Sequence, residues 1–254
     1  VSRQMMGPAH AAAAAAAVAG QTMTVLGFGS LMSESSVRST TPSMRNFRYV
    51  RILGHRRVFA HTPPIFYENG IAKADTLEVA SLSAEPCEGG EFCGVAFEIP
   101  ADEWPAFVER EDEYILKPSP FVALENPASL CEVDYGTQGG EGWLCTRSSD
   151  EALKERGVWP RYLAAIEKLP AGAPRTCWHW AETSGLLPCP AYLRHCLLSS
   201  ERADVPEAVR TSFLDATFLV DRTTSLRAYL ERPGVHEYIR NSHPPPSMAT
   251  RYGG

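Results

Sequence analysis

Two short stretches of this sequence hold residue types that could do proton-transfer or anion-binding chemistry. One is the carboxylate-rich run Glu109-Arg110-Glu111-Asp112-Glu113, and the other is the glycine-bearing Gly27-Phe28-Gly29-Ser30-Leu31. Over residues 104–115 the apolar positions Trp104, Phe107, Val108 and Ile115 follow helical spacing. With Trp104 at zero and about 100° per residue, those three fall within about 60° of it and Glu111 within about 20°. Glu109 and Glu113 are expected to point away, and Asp112 to sit near the edge of the stripe. A carboxylate centred on a core-facing stripe is costly unless paired or neutral, and desolvation raises its pKa toward the range useful for proton transfer. Glu111 is therefore a candidate acid/base; the alternative is a buried structural pair with an arginine such as Arg56 or Arg57.

The glycine stretch has three readings. A dinucleotide fingerprint needs a third glycine where this chain has Met32, and no clear βαβ unit follows. A strand-end turn could instead let backbone N–H groups converge on a carboxylate or carbonyl oxygen of a small ligand, giving a substrate-binding loop of Gly27, Phe28, Gly29, Ser30 and Leu31. A plain β-turn stands as the third reading.

The elements that would position these groups follow from periodicity. Residues 21–28 are a β-prone apolar run ending in the glycines, and further β-prone runs cover 50–61, 75–84 and 92–99, spaced by turn residues without helices between them. Such spacing predicts a compact sheet or barrel. From residue 150 onward the pattern is mainly helical, cut into short pieces by Gly157 and by prolines such as Pro160, Pro170, Pro188, Pro190 and Pro206.

Four of these pieces, in order, resemble the γ-glutamyl cyclotransferase-like superfamily, and within it the ChaC-type branch. Phe28-Gly29-Ser30-Leu31 is similar to its Tyr-Gly-Ser-Leu-type motif, and Gly54-His55-Arg56-Arg57-Val58-Phe59 to its Gly-x-Arg-Arg-x-Phe segment. Gly94-Val95-Ala96-Phe97 is similar to its Gly-Val-Ala-Tyr strand, and Arg110-Glu111 to the Arg-Glu of its helix. The match spans about residues 22–116. Phe28 and Phe97 stand where the family carries tyrosines, and its late strand has no clear counterpart around 143–146. The resemblance implies an α+β fold, a small mixed β-barrel with packed helices, followed here by a mainly helical extension. It also implies cofactor-free cyclisation of a γ-glutamyl amide or peptide to 5-oxoproline, with Glu111 as acid/base. The rival is a catalytically silent scaffold whose residues 150–241 contact a protein partner.

Composition narrows the partners. A formal net charge of −6, from 24 Lys+Arg and 30 Asp+Glu, argues against a nucleic acid or an anionic membrane. Outside the alanine run there is no apolar stretch long enough to span a bilayer. Seven cysteines without C-x-x-C or finger spacing argue for scattered thiols, with neither structural zinc nor a disulfide framework. Cys196 beside His195 suggests a thiol enzyme only superficially, since sequence neighbours on a helix do not face each other. His179, between Trp178 and Trp180, reads as a half-buried histidine or a ligand. The expected organisation is an Ala-rich leader over 1–21, acid-poor like the end of an organellar transit segment or simply a tail, then a cyclotransferase-like domain over 22–149, the helical extension over 150–241, and a disordered tail over 242–254.

Overall fold

The computed structural model describes residues 22–73, 75–124 and 139–252. The expected leader and Cys131 lie outside them.

Five strands close a mixed barrel. β1 (Thr22–Gly27) pairs antiparallel with β3 (Glu78–Pro100), from Thr22↔Pro100 to Gly27↔Val95, and parallel with β5 (Gly139–Thr146) at Val25↔Trp143 and Leu26↔Leu144. β5 runs antiparallel to β4 (Ile115–Ala123), and β4 antiparallel to β2 (Arg45–His61). β2 returns to β3, antiparallel from Arg45↔Glu98 to His61↔Ser81, and closes the ring. The two β-prone runs expected at 75–84 and 92–99 are one bent strand. Its bend falls where the β2–β3 register shifts between Leu53 and His55, beside Gly54 and Gly89 in the left-handed region at φ +73° and +68°. The late strand not evident in the sequence is β5, which includes Trp143 to Thr146.

Alternation along β1 divides the interior in two. Met23 and Val25 face a cluster with Val95, Phe97 and Ile99 that is capped by α1 (Glu34–Thr40) and α3 (Trp104–Arg110). Leu26 and Phe28 face the larger cluster. α2 (Pro64–Glu68) follows β2.

The chain after residue 150 is mainly helical as expected: α4 (Asp150–Glu155), α5 (Trp159–Ile166), α6 (Pro190–Ser200), α7 (Glu207–Asp215), α8 (Leu226–Leu230) and α9 (Val235–Arg240). It also adds two short strands, β6 (Leu187–Pro188) parallel to β3 and β7 (Thr217–Phe218) parallel to β2. Tyr162, Leu193, Phe213 and Ile239 share one buried cluster with Leu26, Val58 and Phe92, so barrel and helices have a common core across the boundary expected at 149/150. Within that cluster the helices pack on one another as well as on the barrel.

The expectation of a disordered tail is corrected up to residue 252. Pro246–Met248 form a 3₁₀ turn and Ala249–Tyr252 a last helical turn, α10. Tyr252 is the anchor: its ring is buried and meets Phe66 and Tyr192 edge-on. Burial of one aromatic ring contributes about 1.5–3 kcal/mol toward the cost of ordering this segment.

Candidate active site

α3 stops at Arg110. The N–H of Glu111 still donates to the Phe107 carbonyl (3.1 Å), but Glu111 has left helical geometry at φ −95°, ψ 33°. Tyr114 N–H then donates to the Glu111 carbonyl (3.0 Å), and β4 begins at Ile115. The helical wheel therefore applies only to its first half. Trp104 and Phe107 are buried as it requires, whereas Ile115 belongs to a strand.

The turn brings Glu111 into the wall of a cavity of about 620 Å³, which Gly27, Phe28, Gly29, Ser30 and Leu31 also line. Glu111 Oε1 accepts from Arg110 Nε (3.0 Å), and Oε2 lies 3.9 Å from the Cys145 thiol. Its side chain is 22% exposed. Burial pushes the carboxyl above the ordinary range, the Arg110 charge pulls it part of the way back, and the nearby Glu113 charge adds to the rise. Neither arginine expected as a structural partner takes that role. Arg56 pairs with Glu85 (3.7 Å). Arg57 is fully buried and donates to the carbonyls of Phe28 (3.4 Å), Cys93 (3.1 Å) and Ser212.

The glycines of the loop are required by close packing, since neither Gly27 nor Gly29 has a positive φ. A Cβ on Gly27 would sit 2.9 Å from Val95 Cγ2, and one on Gly29 would sit 3.1 Å from the Tyr192 hydroxyl and 3.3 Å from Leu82 Cδ2. Within the loop, Met32 N–H donates to the Gly29 carbonyl (3.3 Å). Ser33 Oγ then caps α1 by accepting from Ser36 N–H (3.3 Å).

The placement expected for Glu113 is corrected. It lines the same cavity, its side chain is 15% exposed, and its Oε1 lies 3.4 Å from Nε2 of the fully buried His61, which stacks on Trp178 at 4.0 Å. Because 111–113 form a turn, the helical angle no longer sets its direction. Asp112 accepts from the Tyr162 hydroxyl (2.8 Å) and pairs with Arg161 (3.3 Å), which is also held by Glu68 (2.7 Å).

The extension and the segment after it supply wall residues that periodicity did not single out for this site: Tyr192 and His195 from α6, and Arg251 and Tyr252 from α10. Burial, aided by the charges of Arg194 and Arg251, lowers His195 to about 4, so it is a neutral imidazole at neutral pH. Burial pushes the Cys196 thiol up to about 12, which removes the thiolate a nucleophile needs. His179 is half exposed, with Asp150 (3.7 Å) and Glu151 (3.4 Å) as neighbours.

Chemically, the cavity joins a carboxyl of raised pKa to a narrow glycine turn. That combination can hold a small polar ligand against a proton donor or acceptor. Among the described residues no helix is long and apolar enough to cross a membrane.

No family model matches the sequence, and no curated protein matches it. Solved structures do. One described as a γ-glutamyl cyclotransferase is 14% identical, with a TM-score of 0.36 over 56% of this chain and 84% of its own. A yeast γ-glutamyl cyclotransferase described as specific to glutathione is 12% identical, with a TM-score of 0.43 over 87% of this chain and 98% of its own. YkqA from Bacillus subtilis is 12% identical, with a TM-score of 0.41 over 76% of this chain and 54% of its own.

Proposed function

We propose that the protein cyclises a γ-glutamyl amide or peptide, releasing 5-oxoproline and an amine. The α-amine of the substrate attacks its own γ-carbonyl carbon, a five-membered ring closes, and the C–N bond to the departing amine breaks. Glu111 takes the proton that the attacking amine must shed and returns one to the departing nitrogen, so a single carboxyl serves both steps. The 27–31 loop offers backbone N–H donors to the substrate's carboxylate or to the developing oxyanion. Holding the substrate folded supplies much of the acceleration, because the attack is intramolecular. The observation that carries this reading is that Glu111, its pKa raised by burial, and the 27–31 loop line one cavity.

Glu111→Gln keeps the size of the side chain and removes the base. It is expected to cut 5-oxoproline release from γ-glutamyl peptides by at least about 100-fold. Release at the wild-type rate ends this mechanism.

A catalytically silent scaffold is the second reading, favoured by Phe28 and Phe97, both buried phenyl rings where the resembling family carries phenols. It predicts no turnover of glutathione or of γ-glutamyl amines by the native chain, and elution of the protein from its source as part of a larger assembly.

A further inference from the structure

Three guanidinium groups stand on the wall of the cavity, those of Arg110, Arg161 and Arg251. Two are committed. Arg110 is held by Glu111 at 3.0 Å, and Arg161 by Glu68 at 2.7 Å and Asp112 at 3.3 Å. Arg251 is exposed and pairs with no carboxylate among the described residues. Its backbone is anchored, because the adjoining Tyr252 is buried edge-on against Tyr192 (6.4 Å between ring centres) and His195 (5.7 Å). Tyr192 in turn reaches the glycine loop: its hydroxyl lies 3.1 Å from where a Cβ on Gly29 would be. His195 follows one helical turn later, about 5–6 Å on.

The same wall carries the acids Glu111, Asp112 and Glu113, and the first two already face Arg110 and Arg161. A ligand carboxylate entering there is best met by a cation that no wall acid holds. His195 cannot supply that charge at neutral pH, since its imidazole is neutral above about 4. Arg251 can, and a guanidinium takes a carboxylate in a two-pronged hydrogen-bonded pair.

We propose that Arg251 receives the terminal carboxylate of the departing amine half of the substrate, so that the cavity selects γ-glutamyl peptides with a free carboxylate over γ-glutamyl amines. This rests on the cyclisation reading above. Arg251 here is a specificity residue that carries no proton itself, although its charge lowers the Glu111 carboxyl.

The test compares γ-glutamylglycine with γ-glutamylglycinamide, which differ only in that terminal charge, by calorimetric binding to full-length Glu111→Gln protein. The carboxylate ligand is expected to bind about tenfold or more tightly. Adding Arg251→Ala should shrink that ratio to within about threefold, and Arg251→Lys should restore part of it. Equal affinities for the two ligands, loss of both alike on Arg251→Ala, or no binding of either overturns the proposal. If the ratio behaves as expected while wild-type protein releases no 5-oxoproline from γ-glutamylglycine, Arg251 keeps its assignment and the cyclisation reading falls.

Discussion

Arg57 donates to the backbone carbonyl of Phe28 across 3.4 Å from a fully buried position in the core. The same guanidinium holds the Cys93 carbonyl on β3 and the Ser212 carbonyl on α7, and lies over the rings of Phe92 (4.7 Å) and Phe213 (5.1 Å). One side chain thus ties the glycine loop, the barrel wall and the extension together without a carboxylate among these partners. Burial lowers Arg57 to about 9, so it stays charged at neutral pH.

Arg57→Met fills much of the same volume but removes a donor from each of those buried carbonyls, although that of Ser212 keeps the Ala216 N–H (2.9 Å). The expected loss is on the order of 3 kcal/mol or more, read as a lower denaturant midpoint. An unchanged midpoint would show that the carbonyls find other partners.

Glu111 carries a sign that can be checked apart from activity. Its folded pKa lies above the ordinary 4.5, so its contribution to stability is present below that pH and is lost as pH rises through the elevated folded value. Denaturation midpoints of wild type should fall over that window relative to Glu111→Gln, which should lack the loss. In the cyclisation reading, the acid limb of kcat/KM should also lie above pH 4.5. Parallel stability curves for the two proteins would contradict the buried carboxylate.

His195 has the opposite sign. With its folded pKa lowered from 6.5 to about 4, its stabilising contribution is present above pH 6.5 and is lost as pH falls through about 4. The full swing corresponds to about 3 kcal/mol. His195→Gln should flatten this part of the acid-unfolding profile, whatever it does to the midpoint at neutral pH.

Gly94 and Gly29 make a graded pair. A Cβ on Gly94 would lie 2.5 Å from the Gly27 carbonyl oxygen, a backbone atom of β1 that can move only with its strand. Gly94→Ala should cost roughly 2–3 kcal/mol and weaken ligand binding by displacing the loop. Gly29→Ala meets only the ends of Tyr192 and Leu82, so its thermal midpoint should fall less, while its added methyl narrows the cavity. The reverse ranking of midpoints would refute the close approach of β3 to β1.

The sequence disclosed the strands, the helical second half and the two cavity elements, because apolar period and turn residues are local signals. The helical spacing that points to Glu111 runs to Ile115, yet α3 ends at Arg110; Pro118 and Pro120 mark that a helix must stop before them but do not announce the strand Ile115–Ala123. The same turn carries Glu113 to the cavity wall, where a continued helix would have turned it away. Tyr192, His195 and Arg251 reach the cavity only through tertiary packing, which no period of 2 or 3.6 records. The prolines of the last segment suggest disorder, but the buried ring of Tyr252 gives it an apolar anchor.

The cavity wall joins residues from β1 to residues of α10, the first and last elements described. Contacts so distant along the chain form late, because loop-closure entropy must be overcome before they add anything. Early in folding, the acid and the glycine turn can exist without an enclosed pocket between them. Pocket closure should therefore trail barrel formation, and a ligand that bridges Gly29 and Arg251 should act chiefly by slowing the departure of the terminal turn.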